Sequence, residues 1–392
     1  MSLETSAASE MSFEWVRQPA AAATVERLLA EFLDRSSAGS HLRERMLHET
    51  GTRLADWVDF LAPPVDAVDR GELVAAGFEF SERDGVEIAE HAGGMFPTIR
   101  LDDESWSLGV KVESVASFLH ANDLRDVLVN GGAWAPLRMA CVASEAGTDL
   151  WVVERHGYAG FSPPRMSTDD VAAVLHHAEA YRCRRRRWHL DADGFDCAFD
   201  VAEAAATDLG VDRACDLFFY AEREYWMSRN RAGRLQKARQ DRLGLGWGNH
   251  DHHTYRSSRE QFHRLVQLLE TLGLSCRERF YAGVEAGWGA QVMEQPACRL
   301  MVFADVDLSP EEVSGDFAHR PLESRESLGT VGLWCRLHGE AALEAGMHHL
   351  EAQFDFDAAR EQLAAAGIAT MAPFTDFPFL KQGFTQAEIW PV

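Results

Sequence analysis

The residues with the clearest potential for chemistry are two histidines and a glutamate: His252, His349 and Glu388. Each sits in a short stretch rich in strand formers, and successive side chains of a strand point to opposite faces. In His252-His253-Thr254-Tyr255-Arg256, positions 252, 254 and 256 share one face and His253 and Tyr255 the other. In residues 346–354, Met347, His349, Glu351 and Gln353 share a face opposite Leu350, Ala352 and Phe354. In residues 384–390, Gln386, Glu388 and Trp390 face together, away from Ala387 and Ile389. With the apolar faces packed under helices, the polar faces line one cavity that collects His252, His349 and Glu388. Neutral imidazole and ionised carboxylate are good donors to divalent metals. Two histidines and one carboxylate form the facial set that leaves positions open on Fe(II), although Zn, Ni and Mn accept the same donors. A residual site charge of about +1 favours an anionic ligand. Thr254 and Gln353 share the inward faces and are candidate substrate contacts. Glu351 is a candidate catalytic carboxylate, and either it or Glu154 could serve as a fourth ligand. His253 and His348 stay open as alternatives to their neighbours.

These residues need elements that hold them in place. After residue 256, Ser258 and Gln261 have capping-box spacing. Phe262, Leu265, Val266, Leu269 and Leu272 then recur on one helical face, and Gly273 ends the helix. Three strands follow, at 275–281, 289–294 and 300–306, which makes a unit of strand, helix and three strands. The opening recurs near the end of the sequence, with a strand over 346–354 and a helix over 358–366 between Asp357 and Gly367. Extended pieces follow at 368–372, 379–383 and 384–390. A degenerate copy is expected between 105 and 160. Repetition of this kind decides the fold class. A lone βαβββ unit cannot close its sheet, whereas paired units form a half-barrel with a concave inner face. The expected fold is therefore α+β, with repeated βαβββ units forming a half-barrel and added helical segments.

Upstream, residues 12–62 read as helical. Val25, Leu28, Leu29, Phe32 and Leu33 recur at helical spacing, as do Leu54, Trp57, Val58 and Leu61, before Pro63-Pro64 stops the run. Short strands are expected over 74–162 and charged helices over 167–245. The resulting organisation is a tail (1–10), a helical N-terminal segment (11–73), a degenerate βαβββ-like unit (74–165), a helical connector (166–245) and the paired metal-binding units (246–392).

The net charge of −24 over 392 residues argues against nucleic acid and anionic membrane as partners. The basic run at 184–187 then reads as a solvated face or local salt bridging. No apolar run is long enough for a membrane span, and the N-terminus has no secretory signature, so a cytoplasmic location is expected. None of the seven cysteines forms a C-x-x-C pair, which favours free thiols over a disulfide framework. The sequence is compatible with oligomers formed through edge strands.

The spacing His252-x-x-x-Arg256, the pair His349-Leu350, the strand Ala387-Glu388-Ile389 and the segment 300–308 resemble the vicinal oxygen chelate superfamily. Within it, they are most similar to the 2-oxoadipate dioxygenase/decarboxylase group. The resemblance covers about residues 248–392. It implies Fe(II) held by His252, His349 and Glu388, with Arg256 clamping a substrate carboxylate through its planar fork. It also implies an enzyme that uses dioxygen to decarboxylate and hydroxylate a 2-oxo acid or related carboxylate. The alternative within the same fold is a non-oxidative lyase, isomerase or hydrolase using Zn, Ni or Mn. A third reading is a non-catalytic small-molecule binding protein.

Overall fold

A computed structural model describes residues 12–13, 16–101, 104–249, 252–351 and 354–370. Gln353, Glu388 and the extended pieces expected after residue 370 lie outside the described residues. The chain is α+β with two open mixed sheets and divides into two compact units, each discontinuous in sequence. The six-stranded unit takes the short strand β1 (Ser12–Phe13), Asp169–Trp226 and His252–Glu351. The seven-stranded unit takes Arg17–Thr168, Met227–Asp251 and the segment after residue 351. No helix among the described residues is long and apolar enough to cross a membrane.

The seven-stranded unit opens with α1 (Pro19–Arg35), which has proline in its first turn and buries Val25, Leu28, Leu29, Phe32 and Leu33 along one stripe. Helix α2 (Ser37–Arg45) follows directly, because Ser36 Oγ accepts the Gly39 N–H at 3.1 Å and caps the new helix. Next come β2 (Val58–Ala62), α3 (Arg70–Ala75), β3 (Phe78–Arg83), β4 (Val86–His91) and β5 (Thr98–Arg100). They are followed by β6 (Trp106–Lys111), α4 (Val115–Ala121), β7 (Leu137–Glu145) and β8 (Thr148–Arg155). The sheet order is β3-β4-β5-β2-β6-β8-β7, with β5 parallel to β2 and β8 parallel to β6.

This topology corrects the helical reading of residues 12–62. Val58–Ala62 is a strand buried at every position, and it opens a strand–helix–three-strand module ending at Arg100. A strand covered on both faces reads as a continuous apolar run, which periodicity alone cannot separate from a buried helix. Its one charged residue, Asp59, is fully buried and accepts from Arg155 Nε at 2.8 and 2.9 Å. Where a degenerate copy is expected, between 105 and 160, the chain forms a strand, a helix and two strands, β6-α4-β7-β8. Its first strand runs antiparallel beside β2.

In the six-stranded unit, α5 (Thr168–Cys183), α6 (Asp191–Leu209) and α7 (Val211–Arg229) precede the sheet, and α8 (Arg231–Arg242) falls in the seven-stranded unit. The module itself comprises β9 (His252–Arg256), α9 (Phe262–Thr271), β10 (Ser275–Tyr281), β11 (Trp288–Gln295) and β12 (Leu300–Asp307). All of these lie where the sequence pattern puts them, to within about one residue. Ser258 Oγ accepts from Gln261 N at 3.4 Å, and Gly273 ends the helix with φ +80°. After α10 (Pro310–Val313) and α11 (Thr330–His338), β13 (His349–Glu351) pairs antiparallel with β9. The sheet order is β1-β10-β11-β12-β9-β13, and among the described residues its one parallel pair is β12 and β9. Helix α12 (Phe356–Ala365) starts two residues earlier than expected. Asp355, not Asp357, caps it, accepting from Ala358 N at 2.9 Å.

Candidate functional site

Strand β9 separates its side chains as alternation requires. His253 and Tyr255 are fully buried against Phe219 of α7, with ring centroids 4.8 and 6.2 Å away. Tyr255 also comes within 3.5 Å of Glu222 Oε2. Glu222 is completely buried and accepts from Arg184 Nη2 at 2.8 Å and Arg186 Nη2 at 2.6 Å. Burial alone would raise the Glu222 carboxyl, but the two guanidiniums outweigh it and hold it below the usual range. Part of the basic run at 184–187 is therefore spent on one buried carboxylate, as the salt-bridging reading expects. This face of β9 is a packed structural layer.

The other face carries His252, Thr254 and Arg256. His252 is half-buried, its ring 6.2 Å from that of Phe303 on β12. Arg256 is mostly buried, with its side chain 15% exposed, and its guanidinium lies 5.3 Å from the ring centre of Trp334 on α11. Asp305, its ladder partner on β12, stands 3.9 Å from Nε, too far for a hydrogen bond. Among the described residues, the Arg256 guanidinium makes no hydrogen bond. A desolvated cation in that state costs free energy unless an anion satisfies it. Burial lowers its pKa, and Asp305 opposes that shift.

Near the end of β9 lie three carboxyls that the sequence reading did not single out: Asp305 and Asp307, which act on Arg256, and Glu340, which bonds to Ser257 and Ser258. Burial pushes Asp305 up to about 7, with Arg256 only partly offsetting the shift. Burial likewise pushes Glu340 up to about 7, although Ser257 Oγ (2.7 Å) and Ser258 N (3.1 Å) both donate to it. Asp307 is tied to structure: its carboxylate accepts the N–H groups of Gly329, Val331 and Gly332 at 2.8–2.9 Å and so fixes the start of α11. That contact sets Trp334 against Arg256. The available signal was the pattern Phe303-Ala304-Asp305-Val306-Asp307, in which carboxylates at alternate positions interrupt an apolar strand. Asp305 and Glu340, buried and pushed above the ordinary carboxylate range, are candidates for proton transfer.

The ladder between β9 and β13 sets His349 directly across from Thr254, Leu350 across from His253 and Glu351 across from His252. Positions 349 and 351 are thus in register with the positions of β9 that carry Thr254 and His252. Histidine and glutamate are residue types that ligate borderline divalent cations, and the ladder brings the backbones of positions 349 and 351 beside those of 254 and 252. His348 lies next to this pair, its ring 5.6 Å from that of Trp334. The expected third ligand, Glu388, and the expected substrate contact Gln353 lie outside the described residues. Glu154 belongs to the seven-stranded unit, where it accepts from Val115 N (2.7 Å) and Arg138 Nη1 (3.0 Å) and meets His156 Nε2 (3.1 Å). Those contacts give it a structural role at the start of α4. No protein-family model matches the chain, and no curated protein matches its sequence.

Proposed function

We propose that the protein is an Fe(II)-dependent dioxygenase acting on a 2-oxo acid or a related carboxylate. The observation that carries the proposal is the state of Arg256: mostly buried, without a hydrogen bond among the described residues, and on the same face of β9 as His252. Four residues of strand separate the two along their backbone by about 13 Å. Within this reading, His252, His349 and Glu388 hold the cation and Arg256 takes the substrate carboxylate through its planar fork. Fe(II), when bound, supplies Lewis acidity and redox chemistry toward dioxygen. The half-barrel and the likeness to the vicinal oxygen chelate superfamily belong to the same proposal. The strand–helix–three-strand modules and the neighbouring first strands β9 and β13 support it.

The chain's own contribution is positioning and proton handling. Trp334 covers one side of the guanidinium and Asp305 stands beside it, so the fork has a restricted approach. Asp305, pushed up to about 7, can hold or release a proton near neutrality beside the bound carboxylate. Thr254, between the two ends of the face, and Gln353 are the further substrate contacts, and Glu351 is a carboxylate near the reacting end.

One observation favours a second reading. Glu351 lies directly across the ladder from His252, so it could complete a four-ligand set with Zn, Ni or Mn. Such a set suits a lyase, isomerase or hydrolase that only polarises a carbonyl. The deciding experiment measures the metal content of the purified protein, together with oxygen uptake by anaerobically Fe(II)-loaded protein across a chain-length series of 2-oxo acids. Oxygen consumption with release of carbon dioxide and a 2-hydroxy acid is expected. Absence of uptake with every member, alongside activity of the Zn or Ni form on a carbonyl substrate, would establish the second reading instead.

A further inference from the structure

The cluster of Glu270, Cys276 and His319 lies at a different place in the six-stranded unit and is independent of the site on β9. We propose that these three side chains form a second cation site, selective for zinc-class metals, which ties the end of α9 to the start of β10 and to the loop after α10.

The donor geometry is the first support. One ligand atom from each of the three residues lies within 4.8 Å of the other two. His319 Nε2 is 3.0 Å from Glu270 Oε1 and 3.9 Å from Cys276 Sγ. A tetrahedral zinc ion with bonds of about 2.0–2.3 Å needs neighbouring donors roughly 3.3–3.7 Å apart. The two distances bracket that range and the third, between Glu270 and Cys276, is within 4.8 Å, so side-chain rotation can bring all three donors onto one ion, with water in the fourth position. Thiolate with imidazole and carboxylate selects zinc-class ions over magnesium or calcium, which take oxygen donors.

The second support is the partner of the other ring nitrogen. His319 Nδ1 is 2.8 Å from Asp316 Oδ1. A metal-binding histidine characteristically donates its remaining N–H to a carboxylate, which fixes the tautomer and aims the ligating nitrogen. An ordinary surface ion pair has no need of a thiol beside the same nitrogen.

The third support is the rigidity of the backbone under the donors. Glu270 and Cys276 flank a turn whose Leu272 and Leu274 are buried. His319 follows the buried Phe317 and Ala318, and Phe317 stacks on Phe262 of α9 with ring centroids 5.8 Å apart. Arg279 of β10 donates to Val313 O at 3.1 Å and lies 5.6 Å from the Phe317 ring centre. The donors are therefore carried on packed elements, even though Glu270 and His319 face solvent.

The test uses the full chain, stripped with a chelator and titrated with Co(II) and then with Zn(II). A bound Co(II) thiolate gives a charge-transfer absorption that the ligand set proposed on β9, His252, His349 and Glu388, cannot produce because it holds no cysteine. The expected result is such a band, saturating at one equivalent, displaced by Zn(II) and unchanged in His252→Ala. Cys276→Ser should abolish the band, and Asp316→Asn should weaken Co(II) binding by about tenfold. The proposal is overturned if wild-type protein shows no band, if the band survives Cys276→Ser, or if it needs millimolar metal. Loss of oxygen uptake with this band intact would count against the function proposed for β9 and leave this site standing.

Discussion

Strands β2 and β9 occupy the same place in their modules, yet the corresponding face is apolar in β2 and carries His252 and Arg256 in β9. Each is five residues long, opens a strand–helix–three-strand module, runs parallel to the last strand of that module and lies antiparallel to one further strand, β6 or β13. Their third residues correspond: Phe60 is paired with Gly109, and Thr254 with His349. Phe60 joins Ala62, Leu137, Met139 and Val153 in a core cluster further covered by Trp151, Tyr158 and Phe161. A Cβ on Gly109 would lie 2.4 Å from the Phe60 ring, so glycine is what admits the phenyl group there. In the six-stranded unit the bulk at the third position is gone, a histidine stands at the glycine's place, and the flanking positions carry His252 and Arg256. The same scaffold is filled in one unit and lined with ionisable groups in the other.

The largest effects should come from the proposed ligands. His252→Ala, His349→Ala and Glu388→Ala are each expected to abolish retention of the activating metal and oxygen uptake while leaving the thermal midpoint nearly unchanged. Full metal occupancy in any one variant would remove that residue from the set. The filled module should respond the opposite way. Phe60→Ala is expected to cost about 3–5 kcal/mol by opening a cavity, measured by denaturant titration, with activity per folded molecule retained. A loss of activity without a loss of stability would end the distinction between a structural and a functional module.

Arg256→Lys sharpens the functional side. A lysine keeps the charge but not the planar fork, so KM for the carboxylate substrate should rise by about tenfold or more, with a smaller change in kcat. Unchanged kinetics across a panel of carboxylates would place Arg256 outside the site and leave its unsatisfied donors without a purpose.

The module at 252–307 was legible because its helix is strongly amphipathic, its strands alternate and glycine marks the turn. The module at 58–100 was not. Its first strand is buried on both faces and carries no periodic signal, and its third strand is only three residues long. Alternation puts His252 and His253 on opposite faces of β9, and His253 packs on Phe219. Asp305 and Glu340 escaped notice because a carboxylate becomes informative only once its burial is known. Glu340 is 84 residues from His252's strand neighbour Arg256 in sequence, a separation that no local pattern bridges.

The smallest predicted effect concerns Asp305 and reads the environment of Arg256 without any substrate. In the unfolded chain an aspartate titrates near pH 4. In the folded protein burial pushes Asp305 up to about 7. The folded state therefore keeps a proton that the unfolded chain has released. That proton contributes stability in full below about pH 4, and the contribution is lost as pH rises through about 7. Glu340, also pushed up to about 7, adds a slope of the same sign. Wild-type stability should accordingly fall between pH 5 and 7.5, and Asp305→Asn should make that fall shallower without abolishing it, because Glu340 and Asp216, the latter pushed up to about 6 by burial, still titrate. The measurement is the urea midpoint at closely spaced pH values for both proteins. If the two slopes coincide, Asp305 is ionised throughout and pairs with Arg256. The guanidinium would then already have its anion, and the comparison with β2 would lose its main functional contrast.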